Sequence, residues 1–260
     1  MRIELQDKNG TCLCSAKGET SVHLRAERTY EPGDRILVEA EPGSFLTIKL
    51  EEAVAAAHVY AKEDRFVFPI PFGEEREPYA KGTWEGTYHL YTVTLQENMG
   101  EGTRNLSTNP LDVRGATGFY PHCTASVETR GESIFAARNT IDGYEETDCH
   151  GEWPFTSWGD NEDPNAEIQI DFGRPVRVDQ VVIRLRSDFP HDNYWKEACL
   201  TLEDGSQYPV ELKKTGLPQS FDLGGTVSSW VKLGRLIKDE TLESPFPALT
   251  FWKVMGRENN

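Results

Sequence analysis

The stretch at residues 137–147, ARNTIDGYEET, is the first place where residue types and spacing suggest chemistry. The apolar Ile141 precedes Asp142 and Gly143, and a hydroxyl follows at Thr147. Asp-Gly is a common tight-turn pair, because Asp bonds to nearby backbone and Gly tolerates positive φ. Carbonyls, one carboxylate and one hydroxyl could also line a small pocket for a hard cation. The residues alone leave both interpretations open.

Two later segments combine aromatic side chains with planar hydrogen-bonding groups. They are residues 149–165, CHGEWPFTSWGDNEDPN, and residues 184–197, RLRSDFPHDNYWKE. Aromatic faces pack on apolar surfaces, whereas Arg, Asp, Asn and His make hydrogen bonds of defined direction. Both segments are therefore candidate ligand-binding loops, and the candidate contact residues are His150, Trp153, Trp158, Arg186, Asp188, His191, Asn193, Tyr194 and Trp195.

The charge balance limits the classes of partner. Acidic residues outnumber basic ones 43 to 27, which gives a net charge of −16. Nucleic acids and anionic membranes are recognised by clusters of Lys and Arg, and the sequence has no such cluster. Neutral ligands or cations suit this balance better. We therefore expect no nucleic-acid partner and no membrane partner.

The ends of the chain and its cysteines indicate a compartment. The start, MRIELQDKNG, lacks the basic and apolar regions of a signal peptide. No stretch approaches the roughly 18 apolar residues of a membrane span. Five Cys is an odd number, which favours reduced thiols over a disulfide framework. The sequence as written predicts a soluble, cytoplasmic protein.

Short alternating segments separated by turns predict an all-β fold. In residues 20–30, Val22, Leu24 and Ala26 fall on one face of a strand and polar residues on the other. Similar strands recur on both sides of a Gly-rich region of low periodicity. We predict two jelly-roll-like β-sandwich domains, and their bounds are 1–100 for the first, 101–116 for a linker and 117–260 for the second.

The second half resembles the discoidin, or coagulation factor 5/8 type C, domain, whose sugar-binding relatives form family 32 of the carbohydrate-binding modules. The resemblance covers roughly residues 116–260. It rests on six short pieces in the family's order: TAS (124–126), ARNTIDGYEET (137–147), a Trp followed by AEIQIDFG (166–173), VDQVVIRLRSD (178–188), LTLEDGS (200–206) and TFWKVMG (250–256). The resemblance implies a galactose-binding-like β-sandwich with its loops clustered at one end.

This resemblance also implies roles for some of the residues above. In many relatives the stretch matching 137–147 wraps a structural calcium ion. The resemblance implies that Asn139, Tyr144 and Thr147 would offer backbone carbonyls, Asp142 its carboxylate and Thr147 also its hydroxyl. The family often adds a Glu from the last strand, but Phe251 at the matching position has no side-chain oxygen. The family has one core Trp near 150–165, so either Trp153 or Trp158 is expected in the core. For Arg186 and Asp188, a structural ion pair between the two side chains is as consistent with the sequence as contact with a ligand.

The first half contains an aromatic, Pro-rich and charged segment at residues 68–93. Its side chains could line a cleft, form a dimer surface or cover the seam with the second half, and the residues concerned are Phe72, Arg76, Tyr79, Lys81 and Trp84. The sequence contains no zincin, P-loop or nucleophile-elbow motif, and the spacing of its six His does not favour zinc.

Three functions remain open at this point. The favoured prediction is a non-catalytic protein that binds a neutral mono- or oligosaccharide in loops at one end of the second sandwich. The alternatives are a carbohydrate-active enzyme with its catalytic site in the first half or at the seam, and a protein-interaction or assembly module. The last would use the aromatic loops as an interface, for example in a homo-oligomer.

Overall fold

A computed structural model describes residues 1–97, 102–146, 151, 153–186 and 192–259 of the chain. The described chain is all-β, as predicted. In the first half the strands are β1 (Arg2–Gln6), β2 (Cys12–Lys17), β3 (Ser21–Glu27), β4 (Arg35–Glu39), β5 (Phe45–Lys49), β6 (Ala57–Ala61), β7 (Arg65–Pro69) and β8 (Tyr88–Leu95).

The second half continues the series. Its strands are β9 (Arg104–Asn105), β10 (Phe119–Tyr120), β11 (His122–Ala125), β12 (Trp158–Gly159), β13 (Ile168–Leu185), β14 (Trp195–Leu202), β15 (Gln207–Glu211), β16 (Gln219–Lys238) and β17 (Ala248–Glu258). The helices described are short 3₁₀ turns at Gly73–Arg76, Thr129–Gly131, Ser133–Phe135 and Ala137–Ile141. Among all the residues that the structure describes, in both halves, no helix is long and apolar enough to cross a membrane.

The first half is a sandwich of two antiparallel sheets around one core. Four strands form a sheet in the order β2-β1-β4-β7, and five form a sheet in the order β10-β6-β5-β8-β3. Side chains of both sheets enter one apolar cluster, for example Ile3 and Ile36 from the first and Leu46 and Tyr91 from the second. The predicted alternation holds in β3, where Val22, Leu24 and Ala26 are buried and their neighbours are exposed.

The second half is one sheet that surrounds its own core. Its main order is β12-β17-β13-β16-β14-β15, with β11 beside β13 and β9 beside β17. The two longest strands, β13 and β16, have 18 and 20 residues and pair with shifts of register after Asp171 and after Val178. Such bulges bend and twist strands, so a single sheet can curve around one apolar cluster. The segments 166–173 and 176–188, which look like separate strands in the sequence, are largely one strand.

The predicted linker, residues 101–116, is packed into both halves where the structure describes it. Its β9 pairs with β17, and Leu106 is buried in the second core. Leu111 is buried in the first core. Beyond the linker, β10 pairs with β6 of the first half. A free linker was therefore the wrong expectation for this segment, whereas the division into two domains stays a prediction.

Cation–π contacts join the two halves at a seam. The guanidinium of Arg174, on β13, lies 4.8 Å from the ring centre of Phe45 and 4.9 Å from that of Tyr60. Arg174 also makes two hydrogen bonds, of 2.8 and 2.6 Å, to the carboxylate of Glu258. The guanidinium of Arg138 stacks over Tyr79 at 5.1 Å. Cation–π contacts of this kind favour one orientation of the two halves.

The aromatic segment of the first half faces this seam in part. Phe72 and Tyr79 line a cavity of about 270 Å³ together with Arg114, Ser133 and other residues of the second half. Trp84 is fully buried, with its ring 4.8 Å from that of Phe68. Of the three interpretations of the segment, the seam is therefore the one that Phe72 and Tyr79 support.

A buried histidine–carboxylate pair lies beside the seam. His122 Nδ1 is 2.6 Å from Asp112 Oδ1, and both side chains are buried. Burial by itself would lower the pKa of His122, but the hydrogen bond and the charge of Asp112 more than offset it, so the pKa lies above its ordinary value. A raised folded-state pKa stabilises the fold below pH about 6.5, and this contribution is lost as the pH rises through the folded pKa.

We expect the free energy of unfolding to fall as the pH rises above about 6.5, by about 1.4 kcal/mol for each unit by which folding raises the pKa of His122. His122→Asn should flatten this pH dependence, whereas His23→Asn, at an exposed position, should leave it intact. Urea unfolding at several pH values measures the difference. Equal slopes in the wild type and in His122→Asn would contradict this account of the pair.

A candidate sugar-binding cleft at the loop end of the second half

A cleft of about 210 Å³ opens where several strands of the second half end. Arg186 follows β13 directly, Asp192 precedes β14, and Ala248 begins β17. The backbone N–H of Arg186 donates to the carbonyl of Ala248, so the strand ends meet here. The described residues that line this loop-end cleft are Thr129, Arg130, Phe135, Gly159, Asp160, Arg186, Asp192, Phe246, Pro247 and Ala248.

A buried ion pair lies in the wall of the loop-end cleft. Arg186 Nη2 is 3.5 Å from Asp192 Oδ1, and Nη1 lies 3.4 Å from Ser157 Oγ. The two side chains are only 5% and 2% exposed. Because taking two charges out of water is costly, a buried pair is weak evidence for stability and is better explained by a specific role. Asp192 is thus a described partner of Arg186, and Asp188, predicted for that place, lies outside the described residues.

Asp160 is a second buried carboxylate of the cleft. Its Oδ2 accepts a hydrogen bond of 3.0 Å from the indole Nε1 of Trp195, and its Oδ1 accepts one of 3.0 Å from the backbone of Glu162. Burial raises the pKa of Asp160, and these two hydrogen bonds oppose that rise. The sequence DNED suggests a solvated loop, but its first residue is in fact part of the cleft wall.

The rim of the cleft supplies aromatic surface. The ring of Phe246 is about half exposed, at 49%. Across the cleft, the guanidinium of Arg130 stacks over Phe135 at 5.2 Å. Gly159 lets the chain pass close to the rim, because a Cβ there would lie 2.4 Å from Thr129 Oγ1. The cleft therefore combines an exposed aromatic ring with two guanidinium and two carboxylate groups.

Two of the predicted aromatic contacts belong to the core. Trp158 and Trp195 are both fully buried, and their rings lie 5.7 Å apart. The indole Nε1 of Trp158 donates to the carbonyl of Val127 at 2.8 Å. Neither ring has a face open to solvent, so these residues pack the core in place of the predicted contact with a ligand. Trp153, at 36% exposure, is the more open of the Trp pair near 150–165.

The remaining described candidates do not line the loop-end cleft. Asn193 is buried, and its Nδ2 donates to the carbonyls of Asp239, at 3.1 Å, and Ser244, at 2.6 Å. It thereby holds the segment before β17, which includes Phe246. Tyr194 is half-buried against the second core, and Trp153 packs edge-on against Tyr144 at 4.9 Å. The other predicted contacts, His150, Asp188 and His191, lie outside the described residues.

Phe135, Asp160, Asp192 and Phe246 complete the cleft, but none stands out in the sequence as a ligand contact. Among these four residues, Asp192 has the clearest sequence signal, because it lies within the polar loop at 184–197. Phe246 lies between two prolines at residues 245–247, in a segment that no motif of the sequence singles out. Only the pairing of β12 with β17 places that segment next to Gly159 and Asp160.

The predicted calcium loop forms an Asp-Gly turn. The backbone N–H of Tyr144 donates to Asp142 Oδ1 at 2.9 Å, and Gly143 has φ of 96°, which favours glycine. The side chain of Asn139 donates from Nδ2 to the carbonyl of Ser133 and accepts at Oδ1 from Arg138, but the predicted ligand at this position is the backbone carbonyl, which these bonds leave untested. The tight-turn interpretation therefore accounts for Asp142, Gly143 and Tyr144.

Calcium takes six to eight oxygens, and the side chains described around this turn supply few of them, so a site here would depend on backbone carbonyls and on Thr147. Asp142 is the one buried carboxylate of the turn, and Arg138 lies close enough to act on its charge. Lys253 Nζ binds Glu145 Oε1 at 3.0 Å, and Arg184 Nη1 lies 3.6 Å from Glu146 Oε1. The described residues contain no group of three or more His, Cys, Asp or Glu side chains suited to a metal. Thr147, the fourth predicted ligand, lies outside them.

Trp195→Phe should remove the hydrogen bond to Asp160 and leave a buried carboxylate oxygen without its donor. We expect a loss of about 1–3 kcal/mol in the free energy of unfolding. Trp153→Phe is the matched control, and a partly exposed site of this kind should change stability by less than about 0.5 kcal/mol. Urea unfolding compares the two variants, and equal small losses would contradict the core role of Trp195.

Asp142 gives a test of the calcium prediction. Burial raises the pKa of its carboxyl to about 7, so its stabilising contribution is complete below the unfolded value of 3.8 and is lost as the pH rises to about 7. At about pH 8 in a chelator, Asp142→Asn should therefore melt at a higher temperature than the wild type. If calcium binds the carboxylate, millimolar calcium should raise the melting temperature of the wild type and not that of the variant. Calcium that stabilises both equally would exclude Asp142 as a ligand.

No protein-family model matches the chain, and no curated protein sequence matches it either. Among solved structures, chitosan-binding module 1 of a chitosanase/glucanase from Paenibacillus sp. IK-5 aligns with 59% of this chain and 99% of its own, at 15% identity and a TM-score of 0.43. A family 32 module of NanJ from C. perfringens, solved with galactose, aligns with 51% and 91%, at 14% identity and 0.36. A fucose-binding module from Streptococcus pneumoniae aligns with 58% and 96%, at 16% identity and 0.39.

Proposed function

We propose that this chain is a non-catalytic carbohydrate-binding protein that holds a neutral sugar in the loop-end cleft. The observation that carries the proposal is the buried pair of Arg186 and Asp192 in a cleft whose rim exposes Phe246. This arrangement joins fixed, directional polar groups to one open aromatic face. Small-molecule sites typically combine these two features.

The polar groups of the cleft are held in place before a ligand arrives. Arg186 is fixed by Asp192 and Ser157, and Asp160 is fixed by Trp195. A fixed guanidinium donates along set directions, and a fixed carboxylate accepts along set directions, so together they can select the positions of sugar hydroxyls. Because these side chains are already ordered, binding does not have to supply that ordering free energy.

The charges of the cleft suit an uncharged ligand. Two guanidinium groups, of Arg130 and Arg186, are matched by two carboxylates, of Asp160 and Asp192. Arg130 is further paired with Glu132, to which it makes a hydrogen bond of 2.8 Å. An anionic sugar would meet these carboxylates, and the chain as a whole carries a net charge of −16. We therefore assign the ligand to the neutral sugars.

The ring of Phe246 offers the apolar surface that the proposal requires. One face of many sugar rings is lined by C–H groups, and an aromatic ring packs against such a face. Phe246 keeps about half of its surface open in the free protein, at the rim of the cleft. Asn193, one of the predicted contacts, then acts on the ligand indirectly, through the segment that positions this ring. Calcium at the Asp142 turn stays a prediction, and the sugar site described here needs no contribution from it.

The first test is a thermal-shift screen of the wild type against galactose, fucose, N-acetylgalactosamine and N-acetylglucosamine at tens of millimolar. A ligand that binds only the folded state raises the melting temperature. Phe246→Ala should weaken the Kd of the sugar that binds by about tenfold, which corresponds to about 1.4 kcal/mol. Leu217→Ala, which removes an exposed apolar side chain outside the cleft lining, should leave the Kd unchanged.

Arg186→Lys adds a second arm to this test. Lys keeps the charge but loses the planar fork of donors, so affinity should fall although the ion pair with Asp192 can still form. Unfolding by urea shows whether the variant remains folded. The absence of saturable binding by the wild type in the whole panel would refute the proposal. In that case an oligomeric state measured by light scattering, and altered by Phe246→Ala, would favour the interaction-module alternative.

A further inference from the structure

A second and larger cavity, of about 480 Å³, lies beside the loop-end cleft. Asp160 lines both cavities. Two segments contribute to both cavities. In the segment 159–164, residues 159–160 line the cleft and 162–164 line the second cavity. In the segment 245–248, Pro245 lines the second cavity and residues 246–248 line the cleft. The two cavities are therefore neighbours that share the wall at Asp160.

The second cavity also presents an exposed apolar side chain. Ile237, near the end of β16, lines it and is 47% exposed, close to the 49% of Phe246 in the loop-end cleft. Exposed apolar side chains scattered over a surface need no explanation, but Phe246 and Ile237 line two neighbouring cavities that share Asp160. A chain of linked sugar rings could pack against Phe246 with one ring and against Ile237 with the next.

The backbone around the second cavity is held in an unusual conformation. Asn161, Glu162 and Arg235 have φ of 50°, 60° and 51°, in the left-handed region that residues with a side chain rarely adopt. Glu162 and Arg235 line the cavity, and Asn161 Oδ1 accepts from the backbone N–H of Arg130 of the cleft. Such conformations persist where surrounding contacts hold them, and they are often found at ligand sites. The bond from Arg130 also ties the walls of the two cavities together.

The charges of the second cavity narrow the class of ligand. Its acidic side chains are Asp160, Glu162, Asp163 and Glu240, and they outnumber the basic ones of Arg235 and Lys238. A sugar that carries a carboxylate would meet net repulsion here, because like charges in a partly enclosed site disfavour binding. An uncharged sugar would meet hydrogen-bond acceptors together with the apolar side chain of Ile237.

We propose that the second cavity is a further sugar subsite, so that the protein binds uncharged oligosaccharides in preference to monosaccharides. This inference rests on the proposed function, because the loop-end cleft is taken as the first subsite. The second unit of the oligosaccharide then lies against Ile237 and hydrogen-bonds to the acid-rich wall. Each unit accommodated in a subsite adds contacts without the full loss of translational freedom that a separate ligand would incur.

The test is calorimetric titration of the wild type with N-acetylglucosamine, galactose and glucose. Each sugar is used as the monomer and as linked oligomers of two to four units. For a series that binds, the tetramer should bind at least about tenfold more tightly than the monomer, a difference of about 1.4 kcal/mol. Oligomers of galacturonate of the same lengths should show no such gain. Equal affinities for the monomer and the tetramer would overturn the second subsite and leave the first intact.

Ile237→Ser assigns the gain to the second cavity. This variant should lose the difference between tetramer and monomer while the monomer Kd stays within about twofold of the wild type. Val227→Ser is the matched control, because Val227 is an exposed apolar residue on the same strand outside both cavities. Phe246→Ala, by contrast, should weaken the monomer and the tetramer together. A tetramer gain that survives Ile237→Ser would overturn the proposal, and failure of every sugar to bind would refute both subsites.

Discussion

The hydrogen bond from Trp195 to Asp160 connects the core of the second half to both cavities at its loop end. The indole N–H of Trp195 donates to the carboxylate of Asp160 at 3.0 Å. Without this donor, the buried carboxylate would lose one of its hydrogen bonds. Trp195 is packed against Trp158 inside the core, so the position of Asp160 follows from the packing of two large rings. Asp160 in turn accepts from Glu162, and the segment that follows walls the second cavity. The position of the wall that the two cavities share therefore depends on how the core beneath it is packed.

A second constraint comes from the ends of the strands. β12 pairs with β17, β13 pairs with both β16 and β17, and β14 pairs with β16. These ladders bring the loops after β13, before β14 and before β17 to one place. Arg186 and Asp192 can therefore meet as a buried pair, although five residues of the chain separate them. Such a pair is weak evidence for stability, because the cost of removing two charges from water offsets their attraction, but the loss of one partner would leave the other charge buried and uncompensated.

The seam between the halves follows a different logic. The cation–π contacts of Arg174 with Phe45 and of Arg138 with Tyr79, together with the pairing of β10 with β6, join the two halves. The pair of Arg174 and Glu258 lies within the second half and holds that guanidinium in place. The buried pair of His122 and Asp112 lies beside this seam, and the raised pKa of His122 makes the stability of the fold depend on pH. The described residues that line the loop-end cleft all belong to the second half.

Much of the fold could be predicted from the sequence because strand signals are local. Alternation placed Val22, Leu24 and Ala26 in the core, and most strands lie within a few residues of where the pattern indicated them. Within the Ala-rich segment 51–63, the later residues form the strand β6. Local signals failed where two segments had to be joined or assigned to partners. The pattern separated 166–173 from 176–188, which a bulge joins into β13, and it missed β2 and β15, whose exposed edges carry weak alternation.

The candidate site shows where the sequence by itself stops being sufficient. Composition determined a strongly acidic chain, alternation indicated an all-β fold, and aromatic residues mixed with planar polar groups indicated two candidate ligand-binding loops. Arg186 was identified from its place after the central strand. Only the tertiary structure decided that Trp158 and Trp195 pack the core, that Asp192 pairs with Arg186, and that Phe246 forms the rim. The physical reason is that burial and pairing depend on residues distant in sequence, since the same Trp or Asp serves a core or a cleft according to what packs against it.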